Sequence, residues 1–585
     1  MKPSSGNDLD LGHLAGRNAT LTLPRTARDK HLYVCGGTGT GKSKFLENLI
    51  RQDIRNWHKS RCGMLVLDPH GSLYDSLIQW LAWHKEVYRK VPIVPIDLRQ
   101  NDWVVSYNLL RQRKSTDPAV LVDNLTDAMA YVWGAGGTNQ TPLFARWAGN
   151  VLRALYEKKL TLVEAEFLVD RLAKQVRYMM TADLKDKPSR QDWQFANTLT
   201  PKDFESQIGS TVNRLQRFIR NDTMRTMFGQ PNISMDLGQA LEEGSIIIVS
   251  LATERAKVSK ENAELFATLL LNDLWNAAAE RGKREGIKPF YLYCDEFQRF
   301  ISPTIAENLD EARGYGLHLT LAHQFPLQLT DRGDAGKRVY HSIMENASSK
   351  VVFRLTDPEN LEPLAKWLFM GVMDPDEVKH EMYSTKVMGY RKELLSSFTE
   401  GGSSGASGGR QKGTASGEGW GGTMNFYDEE ETLETSLSVS AFSSGSESET
   451  RGWSESTSYS HTLAETIIPV LGKELSHVQF RSLDEQVFRA MAVLFDQKER
   501  FATTRIVEMN APVCIQTPTI SKVPGSPERT MRYLESCYER LPFALAGVKA
   551  REQLESRAKN FSDSLVADLT GDEPVKRRIR KPVVK

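Results

Sequence analysis

Gly36-Gly37-Thr38-Gly39-Thr40-Gly41-Lys42-Ser43 decides the fold class of this 585-residue chain. The stretch has the spacing G-x-x-x-x-G-K-[ST], and its flanks suit it. His31-Leu32-Tyr33-Val34-Cys35 reads as a short buried strand feeding the loop, and Lys44-Phe45-Leu46-Glu47-Asn48-Leu49-Ile50 as the helix leaving it. Glycines let backbone N–H groups turn around a β-phosphate, and the helix N-terminus adds partial positive charge. Lys42 then reaches the β- and γ-phosphates, while the Ser43 hydroxyl ligates Mg²⁺. Gly36, Gly37, Thr38, Gly39, Thr40, Gly41, Lys42 and Ser43 are thus the expected nucleotide-binding set.

Outward from the loop, strands alternate with helices. Met64-Leu65-Val66-Leu67-Asp68 and Val91 to Asp97 are two further strands. The pattern resumes with Ser245 to Leu251, Phe290 to Cys294, Leu317 to Ala322 and Lys350 to Arg354. Such alternation implies an α/β fold with a parallel sheet and helices on both faces. Between the two stretches the reading is helical. Phe144, Trp147, Ala148, Val151, Leu152 and Leu155 form one apolar stripe, and Thr161-Leu162-Val163-Glu164 is a capping box. Val212, Leu215, Phe218 and Ile219 make another stripe, with Arg214, Arg217 and Arg220 left on the surface. Those arginines suit a solvated helix face, DNA or a neighbouring subunit.

The expected organisation is a lead-in over 1–30 and a nucleotide-binding domain over 31–110 and 241–395. An all-helical domain is inserted over 111–240. A Gly/Ser-rich low-complexity segment over 396–460 has too little apolar surface to offset chain entropy. Residues 461–560 return to the core with helices, and 561–585 form a basic tail ending in Lys576-Arg577-Arg578-Ile579-Arg580-Lys581. Ala19 to Pro24 reads as an edge strand, and Pro512 to Gln516 as a late one.

A second motif names the chemistry. Phe290-Tyr291-Leu292-Tyr293-Cys294-Asp295-Glu296 is an apolar strand ending in two acids. Asp295 suits the Mg²⁺ shell, and Glu296 suits the base that orients and deprotonates an attacking water. A helix over Ile305 to Arg313 and a strand closed by His323-Gln324 follow. Gln324 is placed to sense the γ-phosphate, and Arg313 to be supplied to a neighbour's site. There is no L-S-G-G-Q, no N-K-x-D and no second phosphate loop. Transporter, guanine-specific and two-motor helicase readings are therefore disfavoured.

Hydrophobic residues make up 40% and charged residues 25% of the chain, with a net charge of +1, so any nucleic-acid contact must come from local patches. Five scattered cysteines without a C-x-x-C pair fit a reducing cytoplasm better than a zinc site or a disulfide framework. No run of about eighteen apolar residues exists, and Leu265 to Ala279 reads as a buried helix. A soluble, cytoplasmic protein is expected, brought to the inner membrane only by a partner.

The motifs at 29–43, 65–71 (Leu-Val-Leu-Asp-Pro-His-Gly), 107–110 (Tyr-Asn-Leu-Leu), 293–298 (Tyr-Cys-Asp-Glu-Phe-Gln) and 312–324 occur in one order. Together they resemble the HerA–FtsK superfamily of ring ATPases, and within it the type IV secretion coupling proteins of conjugation. The resemblance spans about 20–370. It implies a RecA-like P-loop NTPase core, a homo-hexameric ring, and ATP with Mg²⁺ driving DNA through a pore. On this resemblance Asp68 and His70 fall in a motif close to the nucleotide. A relaxase, a secretion channel subunit or a nuclease would be the partner. Coupling proteins usually carry an N-terminal transmembrane hairpin, and HerA-type motors a β-barrel. A phosphate loop at residue 36 leaves room for neither. A motor feeding DNA to a nuclease and an ATP-gated scaffold that does not translocate are the alternative readings.

Overall fold

The computed structural model describes residues 8–570 except 113–116, 134–141, 255–256, 285, 301–308, 310, 332, 404–411, 424–435 and 448–455. In chain order the strands are β1 (Leu9–Leu14), β2 (Thr20–Leu23), β3 (Leu32–Cys35), β4 (Gly63–Asp68), β5 (Ile93–Asp97), β6 (Trp103–Val105), β7 (Ile246–Ser250), β8 (Phe290–Cys294), β9 (Leu317–His323) and β10 (Ser349–Phe353). Then come β11 (Val378–Ser403), β12 (Lys412–Thr423), β13 (Ser436–Glu447), β14 (Ser456–Phe480), β15 (Phe501–Arg505), β16 (Val513–Gln516) and β17 (Ala544–Ala546). Two compact units result: Met1–Pro375 with Ser482–Lys585, and Asp376–Arg481.

The first unit is built on an eleven-stranded sheet in the order β2-β1-β16-β15-β10-β3-β9-β8-β4-β7-β5. From β10 to β5 the strands are parallel, and from β2 to β10 they are antiparallel. β3, which feeds the phosphate loop, is separated from the acid-bearing β8 by β9, the order of a RecA-like core. The parallel strands are near-continuous apolar runs because both faces are covered. Tyr33, Cys35, Leu65, Leu67, Leu292 and Cys294 enter one core, whereas Leu32, Val34, Met64, Val66, Tyr291 and Tyr293 enter the other. This is the period of two that a strand imposes.

The first core continues without a break into the helices of the 118–228 region. There the helix Pro142–Glu157 buries Phe144, Trp147, Val151 and Leu155, and the box at Thr161 forms as expected, with the Glu164 carboxylate accepting from the Thr161 backbone N–H at 2.8 Å. Lys260–Arg281 buries 15 of its 22 residues, including the stretch from Leu265 to Ala278 apart from Asn276. Among the described residues no helix is long and apolar enough to cross a membrane.

The hairpins β1–β2 and β15–β16 extend the sheet by joining chain segments about 500 residues apart, His13 lying opposite Gln516. The edge strand expected at Ala19–Pro24 is β2, and the late strand at Pro512–Gln516 is β16. Most of the helix expected over Ile305–Arg313, and the basic run Lys576–Lys581, lie outside the described residues.

The second unit is a ribbon. β11 pairs antiparallel with β14 through 24 residue pairs, and β12 with β13 through 12. Composition alone reads 396–460 as lacking a core; the structure describes paired strands within it, whose ladders need backbone groups and no apolar interior.

Candidate functional site

The site is assembled at the carboxyl ends of β3, β9, β8 and β4, where loops leave a parallel sheet. The loop after β3 turns tightly because Gly39 and Gly41 have φ of 78° and 109°, values that favour glycine. A Cβ at Gly36 would lie 2.5 Å from the Phe353 side chain, so this position too requires glycine. The helix Lys42–Ser60 starts directly from the loop.

The acids reach the loop across β9. Ser43 Oγ donates to Asp295 Oδ2 at 2.9 Å, and Lys42 Nζ donates to Glu296 Oε1 at 3.0 Å while lying 3.8 Å from Asp295 Oδ1. Gln324 Nε2 donates to the same Glu296 oxygen at 3.3 Å, and Gln298 Nε2 to the other at 2.6 Å. Glu296 itself has φ of 50°, a left-handed conformation unusual outside glycine. Burial acts to raise the Glu296 pKa, but the Lys42 charge and the hydrogen bonds from Gln298, Lys42 and Gln324 outweigh it, so the carboxyl sits below its ordinary value. Ser43 and Asp295 thus bring together two oxygens of the type a hard cation selects.

Asp68 closes β4 with its carboxylate turned to backbone. It accepts from the N–H groups of His70 at 2.9 Å and Tyr74 at 2.8 Å. Burial, with Asp295 nearby adding charge, raises its pKa despite these bonds. It shapes the loop that places His70 on the wall of a cavity of about 300 Å³, shared with Lys42, Ser43, Glu296 and Gln324. A second cavity of about 500 Å³ meets Gly37–Thr40 from the other side, walled by Phe325, Arg354, Asp357, Asn360 and Glu499.

Arg313 is not brought to this site. It is exposed in a short turn before β9, whereas Gln324 follows β9. Seven strand residues at about 3.3 Å each put it roughly 20 Å away, at the amino ends of the strands.

Glu499 and Arg500 escaped the sequence reading. The Arg500 N–H donates to Thr40 O at 3.0 Å, and its guanidinium donates to Thr517 O at 2.8 Å. The turn before β15 is thereby clasped to the phosphate loop. No local pattern signals it, because β15 reaches β10 only through the sheet.

Below the acids, a buried group ties β8 to the helix that begins with Lys42. Arg28 donates to Asp53 through both terminal nitrogens and to Tyr293 Oη at 2.9 Å; Tyr293 donates to Asp53 Oδ2 at 2.6 Å. The guanidinium carbon lies 3.3 Å from the centroid of the Tyr291 ring.

The arginines of the helix Pro201–Ile219 border two adjoining grooves of about 350 and 590 Å³. Arg214, Arg217 and, just past the helix end, Arg220 stand there with Lys260, Asn213 and Asn221; among the described residues lining the grooves the one acid is Glu261, 3.9 Å from Arg217 and, like it, mostly exposed.

Residues 16–392 match the model of the type IV secretion-system coupling protein DNA-binding domain. Among solved structures, the bacterial conjugative coupling protein TrwBdeltaN70 in its unbound monoclinic form is similar at 12% identity over 88% of this chain and 90% of that chain, with a TM-score of 0.47. The plasmid coupling protein TrwB in complex with the ATP analogue ADPNP gives 15% over 61% and 78%, with a TM-score of 0.40. VirB4 of Thermoanaerobacter pseudethanolicus gives 14% over 64% and 89%, with a TM-score of 0.41. No curated protein matches the sequence. Since the family model covers well over half of its length, the chain belongs to the family of type IV secretion-system coupling protein DNA-binding domains.

Proposed function

We propose that this protein is an ATPase that moves DNA through a ring of its own subunits, in conjugative or other mobile-element transfer. The observation that carries the reading is the convergence of Lys42, Ser43, Asp295, Glu296 and Gln324 from three strand ends into one hydrogen-bonded group. The membership in a DNA-binding family supports the substrate. Similar structures include TrwB with ADPNP and TrwB with ADP and Mg²⁺, which agrees with ATP and Mg²⁺ as the ligands here.

In this reading the phosphates lie over Gly37–Gly41, and the ribose and base enter the cavity walled by Phe325, Asp357 and Asn360. Ser43 and Asp295 hold Mg²⁺, which when bound offsets negative charge on phosphate oxygens. Lys42 leaves Glu296 for the β- and γ-phosphates. Glu296, freed of Lys42 but still held by Gln298 and Gln324, accepts the proton of the water that attacks the γ-phosphorus as the bond from that phosphorus to the bridging oxygen breaks, releasing ADP and phosphate. Gln324 touches both Glu296 and the γ-phosphate region, so it links hydrolysis to movement of β9. Arg313, remote from its own site, acts on a neighbour's. The basic grooves beside Arg217 take DNA phosphates.

ATP turnover by the purified full chain, with and without DNA at low and moderate salt, tests the proposal. Stimulation by DNA that weakens as salt rises supports it. Turnover indifferent to DNA overturns the motor reading.

A further inference from the structure

The ribbon of residues 378–480 contributes no residue to the group around Lys42 and Glu296, and among the described residues its strands are long and their outer edges open. β11 and β14 form a two-stranded sheet, as do β12 and β13, so among the described residues every one of these strands is an edge on its outer side. The two ladders share one register. Eight residues separate Ser403 from Lys412 on one strand, and eight separate Glu447 from Ser456 on the other. The 24 pairs of the first ladder and the 12 of the second therefore follow one register. Asp374 and Gln486, which flank the ribbon in the chain, exchange hydrogen bonds at 3.0 and 2.6 Å, holding together the points where the chain leaves and re-enters the first unit.

A lone two-stranded hairpin is marginal in water, and long open edges invite pairing. Here the exposed side chains add to that. Met388, Tyr390 and Leu394 on β11 are 69, 72 and 65% exposed, and Ile467 and Leu471 on β14 are 58 and 54% exposed. A monomer would leave these large apolar groups in water along both strands.

We propose that the ribbon is an assembly element, in which β11 of one copy pairs with β14 of the next and the ribbons of a ring close into a β-barrel. The partner is a second copy of this chain because only that copy offers an open strand of equal length and register on each side. The direction is right as well. When copies are related by rotation about an axis along the ribbons, β11 and β14 alternate around the circle and every neighbouring pair is antiparallel. Closure abolishes all edges at once, and the interface is head-to-tail, as rings require. Charge agrees with this choice. Lys386 lies 2.8 Å from Glu474 and Lys392 3.5 Å from Glu465 across the hairpin, and the same two strands meet again between copies. The inference rests on the ring assumed for the motor, but its readout does not involve ATP or DNA.

Hydrogen–deuterium exchange of the full chain, at concentrations where its mass shows monomer and where it shows assembly, tests this. In a lone hairpin about half of the backbone N–H groups of 378–394 and 464–480 point outward and exchange fast; in a closed barrel nearly all are slow. The expected result is a change from about half to nearly all on assembly, reversed on dilution. A Tyr390→Pro variant, which removes one ladder N–H, should shift assembly to higher concentration while still binding nucleotide. The proposal is overturned if the chain stays monomeric, if the assembled chain keeps half of these amides fast, or if all remain fast. Protection that arises only with vesicles of phosphatidylethanolamine and phosphatidylglycerol also overturns it, in favour of lipid as the occupant. If DNA-stimulated turnover fails but the exchange result holds, the motor reading falls and the assembly element stands.

Discussion

Lys42 Nζ lies 3.0 Å from Glu296 Oε1, so the cation that should grip phosphate is held by the carboxylate that should activate water. The two groups neutralise each other until a phosphate competes for the lysine. On the proposed reading, binding a γ-phosphate and freeing the base would be one event. Glu296→Gln should keep nucleotide binding and lower turnover by about 10²–10⁴-fold, the worth of a positioned general base. Lys42→Ala should weaken binding as well. Equilibrium binding of a fluorescent ATP analogue beside steady-state hydrolysis separates the two, and near-normal turnover in Glu296→Gln refutes its role as base.

Arg313 precedes β9 and cannot reach the site at its far end. A trans role makes a specific prediction. Arg313→Ala and Glu296→Gln should each abolish DNA-stimulated turnover alone, whereas a mixture of the two proteins should regain a measurable fraction. Recovery comes from interfaces that pair an intact Glu296 with an intact Arg313. No recovery on mixing, with assembly confirmed by mass, removes Arg313 from catalysis.

The Arg28–Asp53–Tyr293 group places β8, and with it Asp295 and Glu296, against the helix of Lys42. Removing one member of a buried ion pair costs about 3–5 kcal/mol, because the remaining charge is left unpaired. Asp53→Ala should lower stability by that order in urea unfolding. Tyr293→Phe, which leaves the ion pair in place, should cost about 1–3 kcal/mol. Equal costs for the two would show that the ion pair is not the dominant element.

His31 and His318 are buried side by side at the amino ends of β3 and β9, the far end of the sheet from the phosphate loop. Burial holds His318 down to about 4, only partly offset by its bond to Asp29 O. Burial, reinforced by His318, holds His31 down to about 3. Both folded values lie below the ordinary one, so the unfolded chain binds more protons under about pH 6.5. Stability is therefore complete above pH 6.5 and falls as pH drops toward 4, by about 1.4 kcal/mol per pH unit for each histidine. Urea midpoints between pH 7 and 5 check this. The slope should be shallower in His318→Gln, and an unchanged slope would assign the acid sensitivity elsewhere.

Arg217 is 75% exposed and shared by both basic grooves. If DNA phosphates lie there, Arg217→Glu should weaken DNA binding and flatten the slope of log affinity against log salt by about one or two units. ATP turnover without DNA should be unchanged, since the residue is away from the phosphate loop. Unaltered salt dependence would return these arginines to a solvated helix face.

The sequence determined which groups gather at this protein's candidate site where local chain geometry suffices. Loop and flanks at 36–43 are contiguous, so glycine spacing, strand and helix could be read together, and the acids at the end of Phe290–Cys294 follow from one buried run. Asp295 and Ser43 carry complementary oxygens whatever separates them in the chain. The clasp of Arg500 on Thr40 and the remoteness of Arg313 could not be read. Each depends on which strands become neighbours, and that is settled by pairing across the whole sheet. The ribbon shows the same division. Its Gly/Ser-rich composition says only that it cannot bury a core, whereas its register, a property of paired backbones, exists only once the two strands are set side by side.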